Sequence, residues 1–209
     1  MQSSSHDVSD LLSTWPLPAP ALRDALVAAY ADPSRGYHDT LHLAEVLDRV
    51  GTLEAAGERF DSVPVVLAAW FHDSVYDGER DAEERSAAWA EDSLPGLTDE
   101  ATIAEVARLV RLTESHRPDE HDANGCVLSD ADLGILAAPA ERYAAYVAAV
   151  RQEYAHLPDE TFRAGRHLVL SDLLAKPRLF HTEYAFTTWE QAARHNATAE
   201  LEQLAASAS

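Results

Sequence analysis

Apolar residues recur every three or four positions along most of the chain, which is the spacing that places them on one face of an α-helix. The strict apolar and polar alternation of β-strands is nearly absent. Prolines and glycines separate the periodic segments. The pattern therefore predicts an all-α fold, with helices over residues 10–15, 21–30, 38–57, 63–76, 81–93, 99–114, 129–136, 140–154, 160–174 and 183–204.

Residues 63–71 form the most uniformly apolar segment, and His72 and Asp73 follow it directly. A helix this apolar is expected in the core rather than at the surface. It would carry an imidazole and a carboxylate inward, and such groups cost several kcal/mol when they are buried without partners. A divalent cation is a good partner for both, so the segment predicts a metal site.

Other histidines and aspartates lie at spacings that suit the same site. His38 and His42 are four residues apart, which places them on one face of the helix predicted over residues 38–57. Downstream, Asp130 and Asp132 lie in the segment Ser129-Asp-Ala-Asp-Leu133. The chain thus contains an ordered series of His, His-Asp and Asp.

This series resembles the HD-domain metal-dependent phosphohydrolases, and the resemblance extends beyond the His-Asp pair. It rests on five segments: Tyr37-His38-x3-His42, Trp70-Phe71-His72-Asp73-x-Val75-Tyr76-Asp77, Glu83-x2-Ser86-Ala87, Asp130-Ala-Asp132-Leu133, and Gly165-Arg166 followed by Leu168-Val-Leu170. Together they are similar to a small bacterial branch of this superfamily, from about residue 30 to the C-terminus. The resemblance implies a single-domain helical bundle of the HD/phosphodiesterase-like type.

The resemblance also implies a ligand set for a divalent metal ion, namely His42, His72, Asp73 and Asp132. His42 matches the first ligand position better than His38 does, and Asp132 matches the last better than Asp130, whose position also suits helix capping. His38 and Asp130 remain the alternative ligands. Two imidazoles and two carboxylates suit Mn, Fe, Co, Ni, Mg or Zn, and ligand softness does not choose among these metals.

Further residues are candidates for chemistry around the metal. Asp73, Asp77 and Glu83 are the catalytic candidates, as groups that orient water or act as general acid or base. His38 and His116 are candidates for binding the substrate phosphate. Each has a structural alternative: Asp77 suits a turn before Gly78, Glu83 lies in an acidic run that suits a solvated face, and either histidine suits a helix end.

Composition narrows the range of partners. The 209 residues include 16 basic and 36 acidic side chains, a formal charge of −20 that disfavours nucleic acid polymers and anionic membranes. A small phosphorylated substrate remains compatible, because a metal ion can offset the charge locally. The one basic cluster, over residues 163–178, could steer an anion toward the site, but pairing of these side chains with the many carboxylates is the favoured interpretation. The single cysteine, Cys126, excludes an internal disulfide and favours the cytoplasm.

We expect one domain over residues 8–204, with tails at residues 1–7 and 205–209, and neither a secretory leader nor a membrane span. A homodimer is left open. The resulting hypothesis is a phosphohydrolase that cleaves a small phosphate ester, such as a nucleotide, with a metal-activated water. One alternative is an HD-fold metal- or nucleotide-binding regulatory protein with little turnover. Another is oxygenase chemistry at a two-iron site, for which His38, His116 and Asp130 would supply extra ligands.

Overall fold

The computed structural model describes residues 8–78 and 81–206, and within these ranges it is helical throughout, with no β-strand. The α-helices of this part of the chain are α1 (Val8–Ser13), α2 (Pro20–Tyr30), α3 (Thr40–Ala55), α4 (Ser62–Phe71), α5 (Ala82–Ser93), α6 (Glu100–Leu112), α7 (Ala123–Leu133), α8 (Ala140–Glu153), α9 (Asp159–Ala175), α10 (Glu183–Thr188) and α11 (Glu190–Ala206). A short 3-10 helix, Gly134–Ala137, follows α7. The predicted all-α class is confirmed.

Helix α4 is the centre of the core. It packs against α3, α6 and α7. The side chains of Leu67, Trp70 and Phe71 are fully buried. The apolar content of this segment explains its position, because each large apolar side chain contributes about 1.5–3 kcal/mol when it leaves water. Burial of α4 fixes the place of the His72-Asp73 pair at its C-terminal end.

Side-chain caps define where several helices begin. The Asp39 carboxylate accepts hydrogen bonds from the backbone N–H groups of Leu41 and His42 at the start of α3. Asp99 accepts from the N–H of Thr102 in α6, and Asp122 caps α7. These residues are of the types that stabilise helix N-termini. The cap at Asp39 also sets the rotational position of His42 in the first turn of α3.

Three predicted helices that carry candidate site residues differ from the observed ones. His38 precedes α3, so His38 and His42 do not share a helix. Helix α4 ends at Phe71 instead of continuing to residue 76, because the Ser74 N–H bonds the Phe71 carbonyl in a turn. The helix predicted to begin at residue 129 begins at Ala123, so Ser129 and Asp130 lie inside α7 rather than at its cap.

The last predicted helix, over residues 183–204, is two helices that meet at Trp189. Helix α11 packs against α9 and the 3-10 helix, while α5 packs against α6 on another side of the core. Helix α11 continues to Ala206, two residues into the segment predicted as a C-terminal tail. Residues 1–7, predicted as the N-terminal tail, and residues 207–209 lie outside the described residues. None of the described helices is long and apolar enough to cross a membrane.

Candidate metal centre

Three helices bring four potential ligands to one point. His42 lies in the first turn of α3, His72 and Asp73 follow the end of α4, and Asp132 lies in the last turn of α7. Because α4 packs against both α3 and α7, these three helix ends meet at one side of the core. The structure thereby brings together four residues that are separated by up to 90 positions in the sequence.

The ligand atoms converge closely. Nε2 of His42 lies 3.0 Å from Nε2 of His72, and the Asp73 Oδ2 lies 3.2 Å and 3.1 Å from these two nitrogens. The Asp132 Oδ1 lies 3.4 Å from His42 Nε2 and 3.8 Å from His72 Nε2. Ligands placed about 2.1 Å from one ion are separated by roughly 3.0–3.4 Å in octahedral or tetrahedral geometry. His42, His72 and Asp73 could therefore hold a metal ion.

The orientation of His72 is fixed by its other ring nitrogen. Nδ1 of His72 donates a hydrogen bond to the Ala69 carbonyl at 2.7 Å, which leaves Nε2 directed at the cluster. This arrangement is typical of metal-binding histidines, whose non-ligating nitrogen is held by a backbone or carboxylate oxygen. The Tyr30 hydroxyl accepts from the Asp73 N–H at 3.1 Å and helps to hold the pair in place.

Electrostatics in the cluster favour one proton or one cation between the histidines. Burial lowers the pKa of His72, but the negative charges of Asp73 and Asp132 outweigh it and raise the pKa to about 9. Burial lowers the pKa of His42. The pKa of Asp73 is held well below its usual range, against the effect of burial, by the neighbouring His72 and His38. A divalent cation would take the place of the His72 proton.

His38 lies beside this cluster and is held by a buried carboxylate. Nδ1 of His38 donates to Glu153 Oε2 at 2.8 Å, and the other oxygen of Glu153 accepts from the backbone N–H groups of Gly36, Tyr37 and His38 at 3.0, 2.8 and 2.8 Å. The imidazole also stacks on the Tyr76 ring, with centroids 4.0 Å apart. Burial lowers the pKa of His38, but Asp73 and Glu153 outweigh it and raise the pKa overall.

Arg35 joins the two backbone segments that carry these groups. Its guanidinium is nearly buried and donates to the carbonyls of His38, Asp73 and Ser74 at 2.8, 2.7 and 3.0 Å. It also lies over the Tyr30 ring, 5.0 Å from the centroid. The carbonyls of Asp73 and Ser74, which lie beyond the end of α4, thus have a hydrogen-bond donor. The chain after the His-Asp pair is thereby held against the segment that carries His38.

The remaining predicted site residues divide into two groups. His116 and Glu83 line the same cavity as the cluster, and Nε2 of His116 lies 3.5 Å from Asp132 Oδ2. Asp77 instead pairs with Arg85 through two hydrogen bonds of 2.7 Å at a half-exposed position. Asp130 is fully buried and points away from the ligands, since its carboxylate accepts from the N–H groups of His181 and Thr182.

Three supporting residues, Tyr30, Arg35 and Glu153, were not predicted from the sequence. Glu153 is 115 positions from His38, so no periodic pattern connects the two residues. Arg35 belongs to a turn that separates two helices, where arginine is an ordinary surface residue. The aromatic and basic character of Arg35-Gly-Tyr-His38 was the one feature that could have suggested a functional segment.

The cluster borders a cavity of about 720 Å³. His38, Asp73, His116 and Asp132 contribute to its lining, together with residues of α8 and α9, residues 113–115 and part of the 3-10 helix. Cavities of about 300–1,000 Å³ commonly bind small molecules. A ligand in this cavity would therefore contact both the His/Asp cluster and the two outer helices.

Comparison with known proteins does not extend this description: no family model, no curated protein and no solved structure matches the chain. The fold and the site define it as an all-α protein with a His/Asp group that could hold a metal ion. Any narrower assignment rests on the residues themselves.

Proposed function

We propose that this protein is a metal-dependent phosphohydrolase of the HD type that cleaves a small phosphate ester. The observation that carries the proposal is the convergence of His42, His72, Asp73 and Asp132 beside a cavity that is lined by the two aspartates and is large enough for a small molecule. The order of these residues along the chain is the His, His-Asp, Asp order of the HD pattern. The ligand spacing and the fixed orientation of His72 support the same proposal.

The four residues have a donor set that suits a borderline or hard divalent ion, with Mn, Fe, Co, Ni, Mg and Zn all compatible. When it is bound, such an ion supplies a Lewis acid for a phosphoryl oxygen and a water of lowered pKa. Asp73 has a second carboxylate oxygen with which to orient a water molecule. The other oxygen of Asp132 lies 3.5 Å from Nε2 of His116.

His38 is the residue best placed to move a proton. Glu153 holds its Nδ1 and thereby leaves Nε2 available at the cavity wall. Asp73 and Glu153 raise the pKa of His38 against the effect of burial, which increases its imidazolium fraction at a given pH. Its Nε2–H would donate to a phosphoryl oxygen and then pass a proton to the leaving alkoxide as the P–O bond breaks, a role that typically contributes 10²- to 10⁴-fold in rate.

His116 and Glu83 have lesser roles in this proposal. His116 would donate a hydrogen bond to the substrate phosphate, although burial lowers its pKa and favours the neutral form. Glu83 lies on the cavity wall, where it would act on the water or on the organic part of the substrate. Asp77 lies farther out in a pair with Arg85, where its role would be to hold the turn after the site.

Hydrolysis of a panel of small phosphate esters by protein loaded with each candidate metal tests the proposal. We expect release of inorganic phosphate with at least one metal, and loss of both metal and activity in His72→Ala. In His38→Ala we expect metal content to be retained while kcat falls by about 10²-fold or more. His121→Ala, at an exposed histidine, is the matched control. Metal binding without hydrolysis of any ester would reject the enzyme and favour a regulatory metal-binding protein.

A further inference from the structure

The cavity extends from the metal centre along an apolar wall. Helices α8 and α9 and the turn between them contribute this wall, which includes Val150, Tyr154, Leu157, Phe162, Val169 and Leu173. The wall and the two aspartates of the cluster line the same cavity. A ligand bound at the cluster therefore has apolar side chains beside its remaining atoms.

The residues of α9 are arranged for such contact. Gly165, Leu168, Val169, Asp172 and Leu173 all line the cavity. Their spacing of three and four places them on one helix face. Leu168 is 70% exposed and Val169 is 52% exposed, although large apolar side chains on a helix usually face the core. Leu168, Val169 and Leu173 thus form an apolar stripe of α9 along the cavity, in which Leu168 and Val169 lie largely outside the core and Leu173 packs partly against it.

The charges on the cavity wall limit the number of phosphoryl groups that it could bind. One arginine, Arg166, occurs among the described residues that line the cavity. It pairs with Glu200 through hydrogen bonds of 2.7 and 3.1 Å. Beyond the two aspartates of the cluster, the lining includes the carboxylates of Glu83, Glu114 and Asp172. Asp172 is already paired with Arg117. A second phosphoryl group would meet carboxylates and no unpaired arginine or lysine of this lining.

We infer that the substrate carries a single phosphoryl group on a largely apolar alcohol, and that nucleoside polyphosphates and pyrophosphate are poor ligands. The inference rests on the proposed function for the position of the phosphoryl group, which lies at the His/Asp cluster. The apolar part lies against the α9 stripe, beside Val169 and Leu173. Burial of each methylene there contributes up to about fourfold in affinity.

Binding of alkylphosphonates tests this inference without turnover, because their P–C bond replaces the ester bond. Ethyl-, butyl- and hexylphosphonate are titrated calorimetrically into the metal-loaded protein, with pyrophosphate and a nucleoside triphosphate for comparison. We expect affinity to rise with chain length and both polyphosphates to bind more weakly than hexylphosphonate. Equal affinity along the series, tighter binding of pyrophosphate, or no phosphonate binding would overturn the inference.

A variant of the exposed stripe locates the apolar contact. Val169→Asn replaces a half-exposed apolar side chain with a polar one of similar size, and Val63→Asn, at a position 44% exposed on α4, is the matched control. We expect Val169→Asn to weaken hexylphosphonate by about three- to tenfold and ethylphosphonate by less than about twofold. An unchanged chain-length dependence in Val169→Asn would contradict the placement.

The outcomes also separate this inference from the proposed function. Chain-length-dependent phosphonate binding without hydrolysis of any ester would reject the enzyme and leave the ligand class intact. Hydrolysis that favours pyrophosphate or nucleoside triphosphates over alkyl phosphates would keep the enzyme and reject the ligand class.

Discussion

Replacing Glu153 with alanine is expected to destabilise the fold and to release His38 from its position beside the metal centre. The Glu153 side chain is 4% exposed, and its two oxygens accept from three consecutive backbone N–H groups and from His38 Nδ1. Alanine removes all four acceptor contacts. Since the segment 36–38 leads directly into the Asp39 cap of α3, loss of the carboxylate would loosen the entry to the helix that carries His42.

The size of the effect follows from the hydrogen bonds. A hydrogen bond to a charged group contributes about 1.5–3 kcal/mol, but water can replace part of the lost bonding at these half-buried amides. We therefore expect Glu153→Ala to lower the free energy of unfolding by about 3–5 kcal/mol. Glu153→Gln should cost only about 1–2 kcal/mol, because the amide oxygen can still accept from the backbone while the amide nitrogen cannot accept from His38.

The pH dependence gives a second measure of the same contact. Burial raises the pKa of Glu153, but its hydrogen bonds and the charge of His38 outweigh burial and lower the pKa overall. A carboxylate with a lowered pKa stabilises the fold above its unfolded-state pKa, and this contribution is lost as the pH falls through the folded-state value. The difference in unfolding free energy between wild type and Glu153→Gln should thus be largest near neutral pH and should shrink in acid.

Urea unfolding of wild type, both Glu153 variants and the control Gln152→Ala measures these differences. Gln152 is an exposed neighbour on the same helix, so its replacement should change stability by less than about 0.5 kcal/mol. Equal stability of Glu153→Ala and Gln152→Ala would refute the reasoning. So would a Glu153→Gln difference that is the same in acid and at neutral pH.

Three further predictions concern the metal centre. Because the pKa of His72 is about 9, metal binding near neutral pH should release about one proton. Calorimetry in buffers of different ionisation enthalpy measures the release, and metal binding without it would contradict a protonated His72. Asp130→Ala should lower the free energy of unfolding by about 3 kcal/mol and leave metal affinity unchanged, because Asp130 bonds the backbone and not the ligands. Asp132→Ala should weaken metal binding at least about tenfold at little cost in stability. Equal effects of the two variants on both properties would reject Asp132 as the ligand. Arg35→Lys should lower stability by about 1–3 kcal/mol and weaken metal binding, since an ammonium cannot hold three carbonyls in the same geometry; wild-type values of both would count against this role.

The helical class and the buried position of α4 could be predicted because both follow from local apolar periodicity. The end of α4 could not, because no glycine or proline interrupts residues 72–76 and the turn depends on tertiary contacts, including the Arg35 bonds to the Asp73 and Ser74 carbonyls. The start of α7 could not be predicted because residues 117–125 are mostly polar and include a proline and a glycine, so they lack apolar helical periodicity. Tertiary packing starts the helix at Ala123, with Asp122 as its cap.

The candidate ligands could be selected from the sequence because histidines and aspartates, which are metal-binding residue types, occur at the end of the apolar segment 63–71 and in two further segments. The residues that position them could not, since Glu153 and Arg35 act through contacts between segments far apart in the chain. Asp130 and Asp132 illustrate the same limit. Two positions apart on α7, they point in different directions, one toward Thr182 and one toward His42, and only the packing of α7 determines which faces the site.

Metal content and metal affinity of the purified protein test the central claim most directly. We expect about one equivalent or more of a divalent transition metal, either retained on purification or bound when Mn, Fe, Co, Ni or Zn is added, and lost in both His42→Ala and His72→Ala but kept in His121→Ala. A wild-type protein that binds none of these ions, or variants that bind them as wild type does, would contradict the assignment of this cluster as a metal centre.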